Sequence, residues 1–303
     1  MAKGAQPAVS VIIPTLNRAQ VLIETLRDIL GQDYPGKELI VVDQSEAPDR
    51  TVREFVQRHR SIRWIHLEEK GTPNAKNVGA RASQGEILVF LDDDVRISSD
   101  QFLRAHVANY ADPQVGGVGG RVLMDSDPPL ETVREVGKFT HLGLSEVTNF
   151  HADFRTPIHH VYGCNQSYRR SVFESIGGFT TIFAGNAHLE EADLSFRVRR
   201  VGFTLMFDPQ AVLHHLHAPS GGTRTKDVYE LRYWLIHNGA IFYLRHYGWL
   251  LLPLFVLKQL IWALTSALKR RDLRMLRTMA GALVTGIGSY LCQPAARQFK
   301  GAL

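Results

Sequence analysis

Apolar positions along the first hundred residues follow two alternating periods. Ala8 to Pro14, AVSVIIP, is a continuous apolar run of strand length, and Leu22, Leu26 and Ile29 then recur at helical spacing. Asn17 stands where a helix N-cap is expected and Gly31 where the helix should stop. Glu38 to Asp43, ELIVVD, predicts a second strand, Val52, Phe55 and Val56 a second helix, and Ile62 to Leu67, IRWIHL, a third strand. Thr72 followed by Pro73 predicts a cap and a first-turn proline for a third helix, whose Ala75, Gly79 and Ala82 form a small-residue face before Gly85 ends it. Ile87 to Leu91 predicts a fourth strand. This alternation predicts an α/β fold built on a doubly wound, mostly parallel, Rossmann-like sheet flanked by helices. Ligands of such sheets bind beyond the carboxyl ends of the strands.

Carboxylates gather at those ends. The second strand finishes in Asp43, and the fourth runs straight into Asp92, Asp93 and Asp94. Adjacent carboxylates repel unless a cation compensates them, and Mg²⁺ or Mn²⁺ takes oxygen ligands of this kind. A solvated acidic turn is the competing reading of the triplet taken alone. Other acid-ended folds fit less well. A haloacid-dehalogenase-type phosphotransferase wants Thr or Val where Arg96 stands, and a dinucleotide-binding enzyme wants GxGxxG where the chain reads PTLNR. A sugar nucleotidyltransferase also wants a glycine-rich loop there. A second constellation is HLEEADLSFRVRRVG, His188 to Gly202. Leu194, Val198 and Val201 give it a helical face and Gly202 a stop, so Glu190 and Glu191 fall in or just before the first turn, where the helix dipole favours ionised carboxylates. Beyond it, FDPQAVLHHLH supplies His214, His215 and His217.

Five blocks, VSVIIPTLNR, ELIVVDQSE, NAKNVGARASQGEILVFLDDDV, GCNQSYRRSVFESIGGF and EEADLSFRVRRVGF with DPQAVLHH, occur in this order from about Val9 to about His217. Together they resemble the family-two inverting glycosyltransferases of GT-A fold. That resemblance implies a divalent metal, Mn²⁺ or Mg²⁺, and a nucleotide-sugar donor, with Asp94 the most direct metal ligand, Asp92 beside it and His215 joining them. Pro14, Thr15, Asn17, Asp43, Gln44, Lys76, Asp92 and Asp93 become donor-site expectations. Lys76 stands where the family often has Arg, and Gln44 where it usually has an acid, which leaves the nucleobase open. The family usually has Glu-Asp at positions 190 and 191, the Asp serving as base; Glu191 stands there in this chain, with Asp193 as the fallback. Asn165, Gln166, Arg169, Arg170 and Glu190 are expected on the acceptor or sugar side, the amides for hydroxyls and the guanidinium groups for phosphate. Phe173, Ile176 and Phe179 are expected in the core.

Composition changes the picture mainly at the C-terminus. Of the formal net charge of +5, residues 258–303 carry +7, eight Lys or Arg against Asp272, so the rest sums to −2. No nucleic-acid motif accompanies the excess; long apolar runs do. Tyr247 to Leu268 is apolar but holds Pro253 and Lys258, and Thr278 to Ala296 is uncharged but holds three glycines, so neither is a clean span of the roughly 20 apolar residues a bilayer needs. A double crossing would also put the basic link 269–277 opposite the catalytic side, against the positive-inside tendency. Helices lying on the cytoplasmic face of the cell membrane, basic residues on anionic headgroups, are therefore expected. A buried hairpin, an integral hairpin and a homo-oligomer contact stay open. The N-terminus lacks the order of a signal peptide, and two cysteines are too few for a disulfide framework, which predicts a reducing compartment. The expected organisation is a catalytic domain over 1–223, with a nucleotide-sugar half to about 122 and an acceptor half from about 123, followed by a helical membrane-associating region over 224–303. The implied activity is transfer of a sugar to a glycan or lipid-linked saccharide in polysaccharide or glycoconjugate synthesis. A polyprenyl-phosphate transferase and a silent nucleotide-sugar-binding scaffold are the alternatives.

Overall fold

The computed structural model of the chain describes residues 7–140, 143, 146–223 and 225–293. The boundary residue 224 and the end of the expected C-terminal region, 294–303, lie outside the described residues. The strands are β1 (Val9–Thr15), β2 (Lys37–Asp43), β3 (Ile62–His66), β4 (Ile87–Leu91), β5 (Val95–Arg96), β6 (Val115–Leu123), β7 (Lys138–Phe139), β8 (Glu146–Val147), β9 (Thr156–Ile158), β10 (Asn165–Arg169) and β11 (Thr204–His215). The helices are α1 (Ala19–Leu30), α2 (Arg50–Arg58), α3 (Thr72–Ala82), α4 (Phe102–Ala108), α5 (Arg170–Ser175), α6 (Glu190–Arg200), α7 (Val228–His246), α8 (Gly248–Arg270) and α9 (Arg274–Cys292).

The main sheet has the order β3-β2-β1-β4-β10-β6-β11-β5, with β9 on β11. The first four strands are mutually parallel; the apolar runs of β1, β2 and β4 are buried between helices, while β3, at the sheet edge, buries only Ile62 fully. Then β10 enters antiparallel between β4 and β6, and β6 and β11 run parallel again. Five points therefore share one edge of the sheet: Thr15, Asp43, the residues after Leu91, His215 and, because its strand is reversed, Asn165. Leu22, Leu26 and Ile29 are buried, as their spacing predicts, and so are Phe173, Ile176 and Phe179. Val201 is not; it is the C-cap of α6 and exposed. The small face of α3 is what lets that helix lie on β1, since a Cβ on Gly79 would stand 2.4 Å from Ile12 Cγ2.

Helix starts differ in detail from the sequence expectation. Asn17 does not cap α1; Arg18 takes the cap position without a side-chain cap bond, and Asn17 adopts a left-handed φ of 56°. Gly71 rather than Thr72 caps α3. The C-terminal helices pack on one another and against α6, with α9 so close to α7 that a Cβ on Gly286 would meet the His237 carbonyl oxygen at 2.5 Å. Among the described residues, Gly248–Arg270 is the one helix long and apolar enough to cross a membrane by length and composition, with a mean hydropathy of 1.7. Its outer side presents Leu250, Leu254, Leu257, Ile261, Leu264 and Leu268 to solvent.

Candidate active site

The three aspartates after β4 take three different roles. Asp93 turns inward, accepting hydrogen bonds from Thr15 Oγ1 at 2.7 Å and Arg18 Nη1 at 2.8 Å. Burial pushes its carboxyl up to about 6 against the pull of Arg18. Asp94 accepts from the Ala218 N–H at 2.8 Å and has His215 Nε2 3.2 Å from Oδ1 and Arg18 Nη1 3.1 Å from Oδ2. Burial opposes its charge, but His215, Arg18 and the Ala218 amide hold it well below the ordinary carboxylate range. Asp92 alone stays half exposed, 3.6 Å from the same His215 nitrogen. One ligand atom from each of Asp92, Asp94 and His215 fits within 4.8 Å of the others. Two carboxylates and an imidazole so placed suit Mn²⁺ and, less well for the nitrogen, Mg²⁺.

Across this cluster opens a cleft of about 460 Å³ whose walls include Thr15, Arg18, Asp92, His215, Glu190 and Glu191. Lys76 projects from α3 into its far wall, donating to Glu190 Oε1 at 2.5 Å and to the Gly163 carbonyl at 3.4 Å. Burial works against that ammonium, yet Glu190 and then Asp92 raise its pKa above the lysine value, so it stays a cation. The second Glu190 oxygen, Oε2, is buried without a hydrogen-bond partner among the described residues. Glu191 stands on the same first turn. Its carboxylate lies beside Gly163, 3.9 Å from where a Cβ on that glycine would be. Burial, then the charge of Glu190, pushes Glu191 up to about 8. A smaller cleft of about 300 Å³, sharing Thr15 and Arg18, continues toward Asn17, Asp43, Ser45 and Asp49.

Two carboxylates and an imidazole at the strand end thus face a pair of glutamates on a helix across the cleft. The family model described as Glycosyl transferase family 2 matches residues 10–177. The chain belongs to that family. Among its relatives, the uncharacterized protein y4gI of Sinorhizobium fredii (strain NBRC 101917 / NGR234) is 30% identical over 236 residues, covering 71% of this chain and 25% of y4gI. A validoxylamine A glucosyltransferase of Streptomyces hygroscopicus subsp. jinggangensis (strain 5008) is 27% identical over 286 residues, covering 86% of this chain and 64% of the relative. The chain thus spans less than two thirds of either relative's length. A solved mannosyltransferase, PcManGT from Pyrobaculum calidifontis in complex with GDP-Man and Mn²⁺, superimposes with a TM-score of 0.59 at 20% identity, covering 95% of this chain and 88% of that one. At that identity the likeness is one of fold, and it is the GT-A fold expected from the sequence blocks.

The structure brings Pro14, Thr15, Gln44, Lys76, Asp92, Asp93, Glu190, Glu191 and His215 to the larger cleft, with Asn17 and Asp43 at the smaller one. Asp94 lies directly beneath, in contact with His215. Gln44 is committed in part, its Nε2 donating to the Glu69 carbonyl. Five expected residues are elsewhere engaged. Arg169 and Arg170 sit at the far end of β10, because that strand is reversed; Arg169 donates to the carbonyls of Tyr110, Asp112 and Val115, and Arg170 to those of Gly85 and Ala80. Neither reaches a phosphate at the aspartate edge. Asn165 is fully buried, with His106, Arg121 and Ala211 taking its amide, and Gln166 is satisfied by Gly163 and Tyr168. Asp193, the fallback base, is also closed off: Thr180, Arg197, Arg245 and His246 occupy both of its oxygens. Arg18 and Glu146 are cleft residues that sequence reasoning passed over. For Arg18 a signal existed, a lone guanidinium ending the PTLNR block in a chain with three carboxylates to neutralise. Glu146, which burial pushes up to about 7, follows no pattern in its stretch of sequence.

Proposed function

We propose that the chain is an inverting, metal-dependent glycosyltransferase that moves a sugar from a nucleoside-diphosphate donor to a saccharide or lipid-linked saccharide. The observation that carries this reading is the placement of Asp92, Asp94 and His215 on one side of a cleft whose other wall bears Glu190 and Glu191. The nucleoside lies in the smaller cleft by Asn17 and Asp43, and the diphosphate reaches toward Arg18 and the aspartate edge. Asp92, Asp94 and His215 would hold a divalent ion, which would supply Lewis-acid neutralisation of the leaving diphosphate. The donor sugar then faces the wall formed by the Lys76–Glu190 ion pair.

Glu191 does the proton work. Its carboxylate takes the proton of the acceptor hydroxyl as that oxygen bonds to the anomeric carbon, and the bond from that carbon to the diphosphate breaks on the opposite face. The products are the inverted glycoside, the nucleoside diphosphate and protonated Glu191. A raised pKa suits the role, because a base is most effective when its pKa lies near the working pH.

The acceptor side is proposed to work at an anionic membrane surface. Support comes from the apolar outer stripe of α8, Leu250 to Leu268, and from the link Lys269 to Arg277, which carries five bases and one acid. Purified full-length chain with Mn²⁺ and a panel of nucleotide sugars tests the activity. Release of nucleoside diphosphate with transfer to a saccharide or lipid-linked acceptor is the expected result. Tight nucleotide binding with no turnover for any donor would overturn it in favour of a silent scaffold.

A further inference from the structure

The buried carboxylate of Asp193 joins the helix of the two glutamates to the C-terminal helices. Its Oδ1 accepts from Arg245 Nε at 2.7 Å and lies 2.8 Å from His246 Nε2, both in the last turn of α7. Its Oδ2 accepts from Thr180 Oγ1 at 2.7 Å and from Arg197 Nε at 2.9 Å. Asp193 is only two residues beyond Glu191, and its own N–H donates to the Leu189 carbonyl at 2.9 Å, closing the first turn of α6.

The same α7 holds the loop leading into that turn. Asn238 Nδ2 donates to the Ala184 carbonyl at 2.9 Å, and the Ala184 N–H donates back to Asn238 Oδ1 at 3.2 Å. Trp234 lies so tightly over Gly185 that a Cβ there would come within 2.2 Å of its ring. Further along, Ala187 and Leu189 are held at φ values of 54° and 69°, which residues with side chains rarely adopt. Such a backbone persists only where its surroundings fix it. Here Trp234, Asn238, Arg245 and His246, all from α7, contact the loop and the turn it enters.

We infer that Asp193 is a positioning residue and that α7 is part of the scaffold of the site, setting through Asp193 and Asn238 where Glu190 and Glu191 stand. This rests on the proposed role of Glu191 in transfer. The 224–303 region is then no detachable membrane module. A catalytic chain cut near residue 223 lacks the partners of its own glutamate-bearing turn.

The test uses the full-length chain. Asn238→Ala breaks the loop clamp without leaving a buried charge unpaired, and Asp193→Asn breaks the ionic one. Each is assayed for transfer and donor KM, alongside amide hydrogen exchange over residues 186–191. For Asn238→Ala we expect a kcat lower by about 10- to 100-fold, a raised donor KM as Glu190 shifts, and faster exchange at 186–191. Asp193→Asn should lose at least as much kcat. If it fails to fold, Asn238→Ala decides alone. A pH profile adds a readout that a loss of mere stability would not move. Glu191 is faced by Glu190 on its own helix, Lys76 of α3, Glu146 of β8 and Tyr168 of β10, so a loosened turn hydrates it and shifts the acid limb of kcat/KM downward. Asn238→Ala with wild-type kcat, exchange and pH limb overturns the inference, whatever Glu191→Gln does. Glu191→Gln with wild-type turnover instead overturns the base assignment, and slow turnover with fast exchange in Asn238→Ala would still uphold the positioning.

Discussion

Lys76 Nζ and Glu190 Oε1 meet at 2.5 Å across 114 positions of sequence, with both side chains buried. The pair ties α3, in the half that holds the nucleotide edge, to the first turn of α6. Removing one member of a buried ion pair leaves the other charge uncompensated and costs about 3–5 kcal/mol, whereas replacing both by apolar groups is often neutral. Lys76→Met should therefore lower the unfolding free energy by that amount in a denaturant titration. Lys76→Met combined with Glu190→Leu should recover most of it. A single-variant loss below about 1 kcal/mol would mean that the pair is hydrated and the ionic reading wrong.

At Asp94 the prediction concerns metal rather than stability alone. Its carboxylate is buried, charged and shared with His215, so of the three proposed ligands it is the one least replaceable by water. Asp94→Ala should weaken Mn²⁺ binding by more than the roughly 10- to 100-fold that losing an outer-sphere partner costs. Calorimetric Mn²⁺ titration and donor turnover check this together. Unchanged metal affinity would remove Asp94 from the ligand set.

How much of this was legible beforehand depends on whether the cause was local. The alternation of β1, α1, β2, α2, β3, α3 and β4 is written in periods of apolar residues, and each element lies where its period puts it. Asp92 to Asp94 are at the site because they end a strand of known direction. Arg169 and Arg170 went astray for the opposite reason: nothing in QSYRR says that β10 runs antiparallel, and that reversal moves its end a strand length from the edge. Asn17 failed as a cap because the strand-to-helix turn places it in a left-handed conformation. Asp193 and Glu191 look alike in EEADLSF, and only the packing of α7, distant in sequence, makes one an anchor and leaves the other facing the cleft.

The outer face of α8 predicts a salt-dependent membrane contact. Leu250, Leu254, Leu257, Ile261, Leu264 and Leu268 recur every three or four residues along one side, and the basic link follows at once. Sedimentation with vesicles containing phosphatidylserine should fall as ionic strength rises past the range where the screening length is about 8–10 Å. Leu257→Asp with Ile261→Asp should abolish it while transfer to a soluble acceptor continues. Binding that ignores salt and yields only to detergent would point to a span instead.

Glu191 carries the sharpest test, because its environment and its role make separate demands on pH. Burial and the neighbouring Glu190 push its pKa up to about 8, so the carboxylate that accepts a proton becomes populated only as pH rises through that value. Transfer should climb with pH up to about 8 and drop tenfold per unit well below it, at a pH where an ordinary glutamate would already be fully ionised. Glu191→Gln should cut kcat on the order of 10²-fold or more, erase that acid limb and leave donor affinity near wild type. Glu191→Asp should keep part of the activity, since the carboxylate remains but withdraws by one carbon. Rates must be taken as transfer to the acceptor, because water entering the cleft releases nucleotide without using the base. A Glu191→Gln enzyme that transfers at wild-type rate with the acid limb intact would assign the limb, and the proton, to another group.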